Sequence, residues 1–174
     1  MGSSLKARLQ QLEDRRAIED LIHLYGHLID TARFTEIAAL FVSDGILDYG
    51  SGEFRGRPAI EDFYCNYPVK LLGTAHHVSN VYIRVDGDVA YSLCRTLAFH
   101  WNSQDKAPPV FSPTDLLMTG GYQDSFRRED AGWRFVKRLP LISGTGVGTE
   151  VGDSPLKVIC DDLWQRPAIW PDDI

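Results

Sequence analysis

The sequence predicts an α+β fold, with N-terminal helices on one face of a curved, mostly antiparallel sheet. Three observations predict it. Over the first 31 residues apolar side chains recur every three or four positions, which is the helical period. From residue 74 onward the period becomes two, the period of strands. Asp86–Gly87–Asp88 and Asp130–Ala131–Gly132 interrupt it as tight turns.

The elements follow in order. Leu5, Leu9 and Leu12, then Ile18, Leu21, Ile22, Tyr25, Leu28 and Ile29 line one side of a first helix, which Ser3 or Ser4 caps. Ile37, Leu40 and Phe41 form a short second helix after Thr35, and Gly45 ends it. Residues 46–49 read as a strand and Gly50–Ser51–Gly52 as a turn. Pro58 opens a third helix that runs to about Tyr67. Strands are expected over 74–85, 89–101, 115–128, 133–139 and 141–149. Residues 103–114, broken by Pro108, Pro109 and Pro113, form an insert.

Strand 89–101 has two unlike faces. Val89, Tyr91, Leu93, Arg95, Leu97, Phe99 and Trp101 are mostly large. Ala90, Ser92, Cys94, Thr96, Ala98 and His100 are small or polar. A small face ending in an imidazole leaves room for a ligand, or for helix side chains that fill the same space. The large face suits packing or contact between subunits.

Composition narrows the function. The chain has 174 residues, 44% apolar and 24% charged, with a net charge of −6. An acidic balance argues against nucleic acid and anionic membrane, both of which need a basic surface. No apolar run is long enough to span a membrane, and the first ten residues do not form a signal peptide. Three widely spaced cysteines fit reduced thiols in a cytoplasm. A small-molecule protein remains. Residues 1–149 are expected to form a single domain holding the pocket. Residues 150–174 carry six carboxylates against Lys157 and Arg166, hence −4 of the total. They also place Leu156, Ile159, Cys160 and Leu163 at helical spacing, so a short helix over the pocket mouth or on a partner subunit is expected.

The five histidines fall in three places: His23 and His27, His76–His77, and His100. Histidine moves protons best near neutral pH, and a carboxylate on its second nitrogen makes it a reliable base. Asp30, closing the first helix, is the natural partner. On an ideal helix it lies roughly 130° from the apolar stripe, so it faces inward only if the helix tightens or ends there. His23, His27 and Asp30 share a face at spacing i, i+4, i+7, a possible metal set; opposite the apolar stripe, an exposed polar face is the expected reading. No zinc-protease helix, paired CxxC, nucleophile elbow or phosphate loop occurs. No metal and no cofactor is expected.

Seven segments in order resemble the SnoaL-like branch of the nuclear transport factor 2-like superfamily. They are RRAIEDLIHLYGHLID (15–30), FVSDGILDYG (41–50), FRGRPAIEDFY (54–64), TAHHVSN (74–80), VDGDVA (85–90), GGYQDSFRRED (120–130) and GWRFVKR (132–138). Scytalone dehydratase and hexachlorocyclohexane dehydrochlorinase are its functional parallels. The resemblance implies a cone, a strongly curved, mostly antiparallel sheet wrapped around the N-terminal helices with one deep pocket. Within it the resemblance implies a cofactor-free dyad of Asp30 and His76, with His100 as a second histidine and Tyr25 and Tyr49 beside them. It implies a dehydratase acting on a mid-sized apolar carbonyl or hydroxy compound, such as a polyketide, terpenoid or aromatic metabolite. An isomerase or cyclase with the same dyad, or a non-catalytic binding subunit, are the alternatives. Phe34, Phe41, Phe54, Phe63, Asn80, Trp101 and Phe111 are candidate substrate contacts. A homo-oligomer, dimer or trimer, through the convex sheet face is expected. Strand parity leaves open whether His76 or His77 faces the pocket: His76, Val78, Asn80 and Tyr82 share one face, His77, Ser79, Val81, Ile83 and Val85 the other, and a bulge would swap them.

Overall fold

One long helix and one six-stranded sheet organise the chain. The computed structural model describes residues 4–49, 52–67, 71–101 and 115–146. The insert 103–114, with Phe111, and the extension 150–174 lie outside the described residues. Helix α1 spans Leu5–Asp30, and Ser4 Oγ caps it by accepting the Ala7 N–H at 3.2 Å. Its buried stripe begins at Asp14 and Ile18. Leu5, Leu9 and Leu12, expected in that stripe, are 80, 54 and 66% exposed, because the side chains that α1 buries begin only at Asp14.

The short second helix is smaller than its sequence suggests. Helix α2 covers Phe34–Ile37, a single 3-10 turn follows at Ala38–Leu40, and strand β1 already begins at Phe41 and runs to Asp48. Thr35 does not cap α2, whose N-cap is Arg33. Gly45 does not end a helix; it sits within β1, where the pairing shifts between Phe41 and Ile46. Phe41 and Val42 are completely buried; successive residues of a strand point to opposite faces, so both faces of β1 are covered here. Strand β2 (Glu53–Arg55) was not anticipated, and helix α3 runs Arg57–Cys65.

Strands β3 (Gly73–Asp86), β4 (Val89–Trp101), β5 (Leu116–Glu129) and β6 (Gly132–Gly146) complete a curved, unclosed sheet in the order β2-β1-β6-β5-β4-β3. All pairs are antiparallel except β1 with β6. Strand β6 runs unbroken through Pro140, where two strands were expected. Its ladder with β1 stops at Arg138, so the missing proline N–H falls where no second neighbour needs it.

Helix α1 lies against the sheet and supplies one side of the core. Ile18, Ile22, Tyr25, Phe41, Phe126 and Phe135 are essentially inaccessible. A polar clamp fixes its first half: Arg128 Nη2 donates to Asp14 Oδ2 at 2.7 Å and Trp133 Nε1 to Asp14 Oδ1 at 3.2 Å. The small face of β4 points inward as expected, but Ala90 and Cys94 are filled over by core side chains. Among the described residues of that face, His100 is the one that lines the cavity.

Candidate active site

The site begins with how α1 stops. Ala32 takes a left-handed backbone conformation (φ 54°), its N–H reaches the Ile29 carbonyl, and Arg33 N–H reaches Leu28. This is the usual glycine-style helix stop, here with alanine. It leaves Asp30 in the last turn, beside β3. Strand β3 is an edge of the sheet, so alternate backbone donors on its free side lack a strand partner. Asp30 supplies one: its Oδ2 accepts the His76 N–H at 2.8 Å. Its Oδ1 accepts the Thr74 hydroxyl at 2.8 Å and lies 2.6 Å from His76 Nδ1. The wheel angle is therefore no obstacle, because the partner comes to the side of the final turn. Gly26, one turn earlier, presents no side chain beneath the ring; a Cβ there would stand 3.4 Å from His76 Cβ.

A bulge sets the histidine parity. The β3–β4 register shifts between Ser79 and Tyr82, with Asn80 at φ 50°. Asparagine tolerates this conformation better than most residues. The shift lets His76 and Val78 share the inner side with Val81, Ile83 and Val85, whereas His77 is exposed. The His76 side chain is 7% exposed. Asn80 is exposed at the bulge and is not a cavity residue.

Asp30, His76, His100, Tyr49, Phe34 and Phe63 all line one cavity of about 460 Å³, a volume in the usual range for small-molecule sites. Tyr64, Tyr67, Thr74 and Met118 also line it and were missed. Four expected contacts lie elsewhere. Phe41 packs on Phe135 in the core, with ring centroids 5.2 Å apart. Phe54 packs behind Phe63 at 4.3 Å. Trp101 stacks on Phe99, which shares its outward face of β4. Tyr25 is wholly buried under the cavity floor, hydrogen-bonded through its hydroxyl to Tyr64.

Electrostatics distinguish the ionisable groups. Burial raises the Asp30 carboxyl, but the His76 ring and N–H and the Thr74 hydroxyl outweigh it and hold it below its ordinary value. His100 is 9% exposed and stands edge-on to His76 at 5.6 Å. Burial, with His76 nearby, pushes it down to about 4, so it is an uncharged imidazole at neutral pH. Its Nδ1 has no hydrogen-bond partner among the described residues. Burial raises Tyr49 well above its ordinary value, so its phenol stays protonated. His23 and His27 face solvent, and no group of metal-ligating side chains occurs among the described residues.

A second polar group lies under the floor. Arg138 and Asp124 are fully buried and joined twice, Nε to Oδ1 and Nη2 to Oδ2, both at 2.8 Å. Ser92 Oγ donates to Asp124 at 3.2 Å. The guanidinium sits 4.0 Å from the ring centres of Tyr25 and Tyr122 and 4.3 Å from Phe135.

The SnoaL-like domain family matches residues 10–139. The chain belongs to that family. The uncharacterized protein Rv2910c of Mycobacterium tuberculosis is 33% identical over 138 residues, 74% of this chain and 85% of its own. A scytalone dehydratase-like protein of Novosphingobium aromaticivorans is 30% identical, with TM-score 0.67 over 78% of this chain and 88% of that one. The hexachlorocyclohexane dehydrochlorinase LinA type 2 shares the fold at 20% identity, TM-score 0.69, over 80% and 91%. A further N. aromaticivorans protein, described as NTF2-like with a cystatin-like fold, aligns at 29% identity, TM-score 0.68, over 85% and 93%. This SnoaL-like chain therefore has a nuclear transport factor 2-like fold, among whose neighbours are proteins described as a dehydratase and a dehydrochlorinase.

Proposed function

We propose that the chain is a dehydratase that eliminates water from a mid-sized, largely apolar β-hydroxy carbonyl compound of polyketide, terpenoid or aromatic type. The observation that carries this reading is the 2.6 Å contact between Asp30 Oδ1 and His76 Nδ1 at the wall of an aromatic-lined cavity. A carboxylate on Nδ1 fixes the proton there and leaves Nε2 as the base. Nε2 takes the proton from the carbon next to the carbonyl. The freed electron pair passes onto the carbonyl oxygen as an enolate, then returns to form the new carbon–carbon double bond as the neighbouring C–O bond breaks. The His76 imidazolium then returns its proton to the departing hydroxide, which leaves as water. Neutral His100 hydrogen-bonds the departing oxygen, and Tyr49 donates to the same region. Isomerisation starts with the same proton removal and differs only in where the proton returns.

Phe34, Tyr49, Phe63, Tyr64 and Tyr67 support an apolar, planar substrate. Exposed Tyr82, Val89 and Leu97 support self-association through the convex face. The test is a panel of β-hydroxy ketones and hydroxylated bicyclic compounds, followed by ultraviolet absorption of the conjugated product and by the mass of water lost. Turnover by the native chain is expected, with Asp30→Asn and His76→Ala binding the same compound without converting it. Undiminished turnover in both variants would overturn the dyad.

A further inference from the structure

We infer that the Tyr64 hydroxyl is the cavity's donor to a developing enolate oxygen, and that Arg138, through Tyr25, is the positioning residue that directs it. The inference rests on the dehydratase reading and names the substrate feature that reading needs: a carbonyl whose oxygen gains charge when the neighbouring proton leaves.

The geometry runs from the buried pair outward. Tyr25 and Tyr64 share a hydrogen bond between their hydroxyls. Each phenol has one proton, so the shared bond uses one of the two and leaves the other to point elsewhere. Which one is decided by surroundings. Tyr25 is fully buried and carries the Arg138 guanidinium over its ring at 4.0 Å. A cation on the ring face draws electron density from the phenol oxygen, making Tyr25 the better donor and poorer acceptor. Tyr25 therefore donates and Tyr64 accepts. Tyr64, whose ring lines the cavity, keeps its own O–H for a ligand.

A hydroxyl whose oxygen already accepts a bond is a stronger donor than a lone one. Burial raises Tyr64 well above its ordinary value, so it remains a phenol, and toward a ligand it shares its proton in a hydrogen bond rather than giving it up. The direction of the chain depends on Arg138 staying charged and in place. The twofold contact with Asp124 and the third bond from Ser92 do that. Across the same cavity lining, the Asp30–His76 pair supplies the base. Proton removal and charge stabilisation are thus assigned to separate groups, as an enolate route requires.

Phenolate is a stable mimic of that enolate, and 4-nitrophenol reports its own ionisation by visible absorption. The native chain is expected to bind it preferentially as the anion, with a bound ionisation midpoint below that of the free phenol. Tyr64→Phe should weaken anion binding about 10–100-fold, the scale of one hydrogen bond to a charged group. Nitrobenzene, which has no hydroxyl, should bind both proteins alike. Tyr25→Phe and the paired change Arg138→Met with Asp124→Leu should each remove part of the preference, although neither touches the ligand. If the paired variant does not fold, Tyr25→Phe carries the positioning claim alone. An unchanged midpoint in Tyr64→Phe, with the preference lost in His76→Gln instead, would overturn the inference by assigning the anion to His76. Titration needs no turnover, so failure here is distinct from failure of the dehydratase reading.

Discussion

Asp30 holds His76 at two points: Oδ1 lies 2.6 Å from the ring Nδ1, and Oδ2 accepts the backbone N–H of the same residue at 2.8 Å. Ring and strand are thereby fixed together by one carboxylate, which presents only acceptors. Asparagine has the same shape but only one acceptor. In Asp30→Asn the amide oxygen keeps the backbone N–H, and the amide nitrogen must donate to Nδ1. The ring proton then moves to Nε2, where it blocks the base. A loss of about 10²–10⁴-fold in turnover is expected, the scale of a general base, with the fold intact. ¹⁵N NMR of the histidine ring checks the cause directly. Nε2 should be unprotonated in the native chain and protonated in the variant.

His100 makes a separate prediction for stability. Its folded value of about 4 lies below the ordinary 6.5. Between those values the unfolded chain binds a proton that the folded chain refuses, so stability falls as pH drops through this window and levels off below it. The loss is on the order of 3 kcal/mol for this buried ring, from about 1.4 kcal/mol per pH unit. Urea unfolding at pH 7, 6, 5 and 4 reads it. His100→Gln should flatten that slope, and a native profile flat from pH 7 to 4 would contradict the burial argument.

The Arg138–Asp124 pair predicts strong non-additivity. Arg138→Met alone leaves Asp124 buried with only the Ser92 hydroxyl, a loss of about 3–5 kcal/mol. Replacing both, with Asp124→Leu, removes the stranded charge and should recover most of that loss. Chemical denaturation of the two single variants and the double gives the coupling. Additive losses would mean that the two charges are not a unit.

The parts legible in the sequence were those set by local pattern. Helix α1, the β3–β4 and β5–β6 turns and the inward small face of β4 follow from spacing alone. What escaped depended on bulges and distant partners. In residues 133–139 simple alternation turns Arg138 outward. The β5–β6 register instead shifts by one residue between Ser125 and Phe126, so Phe135 and Arg138 both face in. Asn80 looked like an inward ligand contact for the same reason: nothing in a β-rich run marks the residue that will bulge. Asp14 meets Arg128 and Trp133 more than a hundred positions away. Tyr64 was hidden because its helix neighbours, Phe63 and Ile60, make it look like plain core.

Gly121 tests the sheet itself. It pairs with Arg95 across β5 and β4, where an added Cβ would stand 2.0 Å from the Cys94 carbonyl oxygen. That atom is backbone in the middle of a ladder and cannot swing aside as a side chain would. Gly121→Ala must therefore push β4 and β5 apart beside Cys94, which is itself packed in the core. Overpacking of this kind costs about 1–3 kcal/mol, and a lower Tm by differential scanning calorimetry is the expected result. Because His100 sits on β4 six residues beyond Cys94 and faces the cavity, the same displacement should weaken 4-nitrophenol binding. An unchanged Tm would show that the two strands lie farther apart at this point than the register requires.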